Sequence, residues 1–108
     1  MAQNFRRYTN NNVGTSAATA FTANSYDTIV GIYVANVTGS SVLASVYIND
    51  GTNDIHLVKD APIPAGSALQ ILDGGSKVVV QSGDALKIIS DTASSLDVWT
   101  SVVDDIST

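Results

Sequence analysis

PIPAGSALQILDGGSKVVVQSGDALKIIS, residues 62–90, is the stretch whose reading decides the fold. Three short apolar runs, 68–72, 77–81 and 85–89, are separated by the turn sequences Asp73-Gly74-Gly75-Ser76 and Ser82-Gly83-Asp84. Glycine supplies the positive φ that tight hairpin turns need, and β-branched residues between the turns suit a pleated, half-buried surface. The pattern predicts a β-meander.

The same alternation extends in both directions. Residues 28–36, TIVGIYVAN, form the strongest strand, with Val30, Ile32 and Val34 on one face and Ile29, Gly31, Tyr33 and Ala35 on the other. Thr38-Gly39-Ser40-Ser41 then turns the chain into residues 42–49, which places Val42, Ala44, Val46 and Ile48 opposite Leu43, Ser45 and Tyr47. These two strands are expected to pair as a hairpin. Asp50-Gly51 opens another hairpin turn, followed by a strand over 55–59 with Ile55 and Leu57 inward. Pro62 and Pro64 cannot donate ladder hydrogen bonds, so 61–66 is a crossing loop or a sheet edge.

Upstream, residues 13–23 read as an edge strand or as two short strands around Gly14, with Phe21 their one large residue, and Asn24-Ser25-Tyr26-Asp27 breaks the run. Downstream, LDVWTSVV over 96–103 closes the unit, and Asp104 onward reads as a tail. No helical period persists for ten or more residues. The expected class is all-β: a single antiparallel β-sandwich or jelly-roll-like domain of about eight short strands over residues 13–108. Residues 1–12 read as an extended N-terminal arm, either frayed or lying on a neighbouring subunit through Phe5, Arg6, Arg7 and Tyr8.

Composition narrows the chemistry. With 44% hydrophobic and 14% charged residues in 108, the chain can form one modest core and is not of disordered composition. The net charge of −5 rests on ten aspartates against five basic residues, which disfavours nucleic acid as a partner, because phosphate contacts need a basic face. Cysteine is absent, so no disulfide, thiolate metal site or cysteine nucleophile is available. The longest apolar run, 29–35, is far too short to span a membrane, and the start MAQNFRRYTNNN lacks the apolar core of a signal peptide. The reading is a soluble protein made in a cytoplasm, with no membrane partner.

No catalytic residue, cofactor site or metal site is expected. His56 is the single histidine, without a nucleophile in a suggestive motif. Asp84 and Asp91 are the candidates for a glycosidase carboxylate pair, but both read as turn residues. Asn49 to Asp54 offers oxygens from Asp50, Asn53 and Asp54, only part of a calcium shell, and reads as a hairpin turn. Asn36-Val37-Thr38 matches an N-glycosylation acceptor, which carries weight only in a secreted chain.

The outer faces are more informative. Tyr33, Tyr47 and Trp99 fall opposite the core stripes, and Ile29, Leu43, Ile89 and Val103 share their parity. A solvated sheet face would be polar there. Either both faces are covered within the domain, or a bulge flips one strand's parity, or the aromatics bury against another subunit.

The run NVTGSSVLASVYINDG, then PIPAGSALQIL and VVVQSGDALKIIS, ending in LDVWTSVVD, resembles small all-β virion proteins of tailed bacteriophages. The shared turns are those at 36–39, Asp50-Gly51, 64–67 and Gly83-Asp84, and the resemblance covers roughly residues 28–103. It implies a multicopy structural protein that decorates or cements a capsid, or sits at a neck, tail or fibre attachment. Its partners would be the major capsid protein or other virion subunits and further copies of itself. Its location would be the virion after synthesis in the host cytoplasm. A different class remains open: a small carbohydrate-binding sandwich, stacking sugars on Tyr33, Tyr47 or Trp99.

Overall fold

The structure, a computed structural model, describes residues 4–23, 27–72 and 78–104. The described residues form nine strands and no helix: β1 (Asn4–Val13), β2 (Ala18–Thr22), β3 (Asp27–Asn36), β4 (Val42–Asn49), β5 (Asp54–Ile63), β6 (Ala68–Leu72), β7 (Val78–Val80), β8 (Ala85–Ser90) and β9 (Leu96–Asp104). One antiparallel sheet has the order β1-β9-β3-β6, with β7 also on β3; the other has the order β2-β8-β4-β5. The two sheets make a sandwich in a jelly-roll-like order, each strand from β1 to β4 lying in the sheet opposite its predecessor.

The pairing differs from the expected meander. β6 and β7 occupy successive lengths of β3, while β8 crosses to the second sheet between β2 and β4. β3 and β4 likewise lie in different sheets and are not a hairpin; β4 and β5 are one. Glycine turns and alternation mark where strands begin and end, whereas a partner is chosen by which apolar faces can cover each other. The 73–76 turn and the 105–108 part of the expected tail fall outside the described residues, as do residues 24–26 and 1–3.

Ile29 corrects the parity read from sequence. Ile29, Ile32 and Val34 are all completely buried, while Val30 is only half-buried. The β3–β9 register explains this. Ile29 pairs with Val102 and Gly31 with the adjacent Ser101, so β3 carries one extra residue there. Such a bulge turns every residue on one side of it to the other face.

Residues 4–12, expected as an arm, are extended but run antiparallel to β9 of the same chain, from Asn4 opposite Asp104 to Asn10 opposite Val98. Their inward positions lack a run of aliphatics, which is why they read as unpaired. Ile55 is another departure. Expected inward, it is more than half exposed near the tip of the β4–β5 hairpin, and the inward role falls to Leu57, Val58 and Ile63. β5 runs through Pro62 as the outer strand of its sheet, where a missing N–H costs no ladder bond.

The core joins both sheets. Phe21, Leu86, Ile88 and Val46 from one meet Ile29, Ile32, Val34, Leu96, Val98 and Val102 from the other. Asn36 closes one end of the sandwich. It is buried, and its Nδ2 donates to the carbonyls of Ser40 (2.8 Å) and Ile63 (2.9 Å). Its Oδ1 accepts from the backbone N–H (2.9 Å) and hydroxyl (2.7 Å) of Thr38. This fully bonded amide fixes the end of β3, and with it the strand that carries Tyr33.

Candidate functional site

Residues directly opposite one another in a sheet point to the same face, so the register gives the outer surface of the first sheet as rows across its strands. The first row is Phe5, Val103, Thr28 and Val79. Arg7, Ser101 and Gly31 follow. The third row is Thr9, Trp99, Tyr33 and Gln70, and the fourth has Asp97, Ala35 and Ala68. On β9 and β3 the Trp99–Tyr33 pair thus stands as a ridge between the shorter pairs Ser101–Gly31 and Asp97–Ala35.

The exposure of these residues is unusual for apolar side chains. Phe5 is 81% exposed, Val79 67%, Trp99 49% and Tyr33 48%. The guanidinium carbon of Arg7 lies 5.5 Å from the Trp99 ring centroid, within cation–π range. On the other side of the ridge is an open groove of about 410 Å3, lined by Thr9, Asn10, Asn11, Tyr33, Ala35, Asp97, Val98 and Trp99. Asp97 organises its rim. Its Oδ1 accepts from Asn11 Nδ2 (3.0 Å) and from the backbone N–H of Asn12 (3.2 Å). Asn12 has φ 56°, a left-handed conformation that Asn tolerates better than most residues, where the β1–β9 register shifts.

The structure therefore brings together four of the seven residues expected at an interface: Phe5, Arg7, Tyr33 and Trp99. The others lie elsewhere. Tyr8 turns inward, its ring 4.8 Å from that of the buried Phe21, which removes it from the outer surface. Arg6 is exposed but sits opposite Val102, on the alternate side of β1. Tyr47 belongs to the outer face of the second sheet, tilted against His56 at 5.0 Å between ring centroids. Asn11, Thr9 and Asp97 join the aromatics as residues not expected there. The signal was present in the parity of Asp97 with Trp99, but the partnership of β1 with β9 was not.

The other candidates resolve as turn chemistry. Asp50 Oδ1 accepts from the backbone N–H of Asn53 (2.8 Å) and of Thr52 (3.0 Å), and these bonds hold its carboxyl below the usual carboxylate range. Asn49 bonds Gly51 N–H through Oδ1 and Asp54 through Nδ2. The loop's oxygens thus serve its own backbone, and no group of three or more metal-ligating side chains occurs among the described residues. Asp84 caps the Gln81 N–H and Asp91 the Leu43 N–H. They lie at opposite ends of β8, roughly 20 Å apart at strand rise, too far to act as a carboxylate pair. Asn36 has both amide hydrogens bonded in the interior, so in the folded protein it is no glycosylation acceptor.

No protein-family model and no curated protein matches the chain. Among solved structures it is similar to one described as "Bacillus endospore appendages form a novel family of disulfide-linked pili", with 14% identity, a TM-score of 0.57, and coverage of 98% of this chain and 88% of that one. That likeness is one of fold. Two structures of a pentameric capsid protein from metagenomic phage sequences each align at 17% identity and a TM-score of 0.48 over 94% of this chain; it spans 62% and 60% of theirs. Among the described residues no helix is long and apolar enough to cross a membrane.

Proposed function

We propose that this protein is a structural subunit of a tailed-phage virion, bound to the head as a decoration or cement protein and acting by contact without turnover. The observation that carries the reading is the outer face of the first sheet, where Phe5, Val79, Trp99 and Tyr33 are exposed together. Aromatic residues and Arg are the side chains most enriched at interface centres, and Arg7 over Trp99 adds to that surface. A contact of standard size covers about 800 Å2 on each partner. That is about one seventh of this chain's 5664 Å2 surface. At about 25 cal/mol per Å2 of apolar area, before association costs, a modest patch repeated over many copies stiffens a shell. The turn sequences at 36–39, 50–51, 64–67 and 83–84 resemble those of such virion proteins and support the same reading.

The test is a particle with and without the protein, challenged by heat and by osmotic shock. Particles lacking it are expected to open at lower temperature. Equal resistance would reject the cement role and move the protein to a neck, tail or fibre attachment.

A further inference from the structure

The groove beside the Trp99–Tyr33 ridge has two unlike walls. One is aromatic, with the Thr9 hydroxyl in line with it; the other carries the Asn11 amide and the Asp97 carboxylate. Asp97 is held in place through Oδ1, while its Oδ2 accepts no hydrogen bond among the described residues. Ala35 between the walls keeps the floor low. We infer that this groove binds a segment of a neutral polysaccharide, one sugar ring lying against Trp99 and Tyr33 with its hydroxyls turned to Asp97 and Asn11.

The chemistry of the walls selects this occupant. A pyranose ring has an apolar C–H face and an edge of hydroxyls, and pockets that hold such ligands join aromatic surface to a few oriented polar groups. Asp97 Oδ2 offers a sugar hydroxyl an acceptor that an apolar group seated in the groove would strand, which is costly. A carboxylate at the rim of a chain with net charge −5 opposes sulfated or uronic sugars. The volume of about 410 Å3 lies in the range of small-ligand sites. The groove is open to solvent, which suits an internal stretch of a polymer better than a single engulfed sugar.

Trp99 is the single tryptophan, so its emission reports the site directly. The experiment titrates the dilute full chain with cellohexaose, maltohexaose, chitohexaose and mannohexaose, and in parallel with the corresponding monosaccharides. Saturable change with at least one hexaose is expected, with the dissociation constant raised about tenfold or more in Tyr33→Ala and Asp97→Ala. Tyr33→Ala keeps the reporter, and unchanged far-UV circular dichroism verifies the fold of each variant. No saturable change with any hexaose, or equal affinity in the variants, overturns the inference. Monosaccharides that saturate as tightly as hexaoses overturn the polymer occupant. Emission that follows protein concentration and not sugar assigns the groove to a second copy and overturns it as well. Both readings use Trp99 and Tyr33, so sugar and particle compete for the ridge; the particle challenge, run without sugar, reads the cement role separately, and either proposal can fail alone.

Discussion

Asn36 shows how much one side chain decides in this protein. It is 2% exposed, and it joins the 36–40 turn to the end of β5 through four hydrogen bonds. Asn36→Ala removes the acceptor of the part-buried Thr38 N–H and hydroxyl and leaves the Ile63 carbonyl with only the longer bond from the Ser41 hydroxyl (3.3 Å). Losing a buried partner costs about 1–3 kcal/mol per stranded group, so a loss of roughly 3 kcal/mol is expected by urea denaturation with an unchanged m-value. A loss under about 0.5 kcal/mol would mean that water replaces the amide without penalty. In the sequence the residue reads as the start of the 36–39 turn and as a glycosylation-acceptor match, but not as buried, because nothing local tells a buried Asn from an exposed one. Asp50 was easier to read, since an Asp before Gly in a hairpin turn hydrogen-bonds its own loop wherever it sits.

At the scale of elements, the Trp99–Tyr33 ridge exists because β9 lies between β1 and β3 and the bulge at Val30 falls before Tyr33. Trp99→Ala deletes half of the ridge without touching the core, as Trp99 is about half exposed and its inward neighbours Val98 and Thr100 are unchanged. Its thermal midpoint is expected to stay within a few degrees of the parent, the range of surface substitutions. Binding to the particle, measured by cosedimentation, should weaken by about tenfold or more, as for an aromatic anchor. A variant that unfolds readily yet still cosediments when folded would remove Trp99 from the contact. Most of β2 to β5, β8 and β9 was legible in advance, because β-branched alternation and Asp-Gly or Gly-Asp turns are local signals. β1 was not, since Asn10, Asn11 and Asn12 give its alternation no apolar stripe. The register of β3 was misread because one extra residue leaves no mark in composition. Of the candidate site, the outward parity of the aromatics was legible, while the polar rim depended on the pairing of β1 with β9.

At the scale of the whole molecule, the order β1-β9-β3-β6 sets β9, the last of the described strands, in the interior of its sheet. β1 and β3 do not pair with each other; each pairs with β9. A ribosome must therefore release residues through β9 before this sheet can close, and the closing step joins residues about a hundred positions apart, the slow kind of contact. Asn4 lies opposite Asp104, so a circular permutant that joins residue 108 to residue 1 and opens the chain within 50–53 makes β9 and β1 sequence neighbours. Residues 105–108 and 1–3 then supply the connection. This permutant is expected to keep cooperative unfolding and to refold faster than the parent in stopped-flow Trp99 fluorescence. Equal or slower refolding would show that docking β9 is not the step that sets the pace.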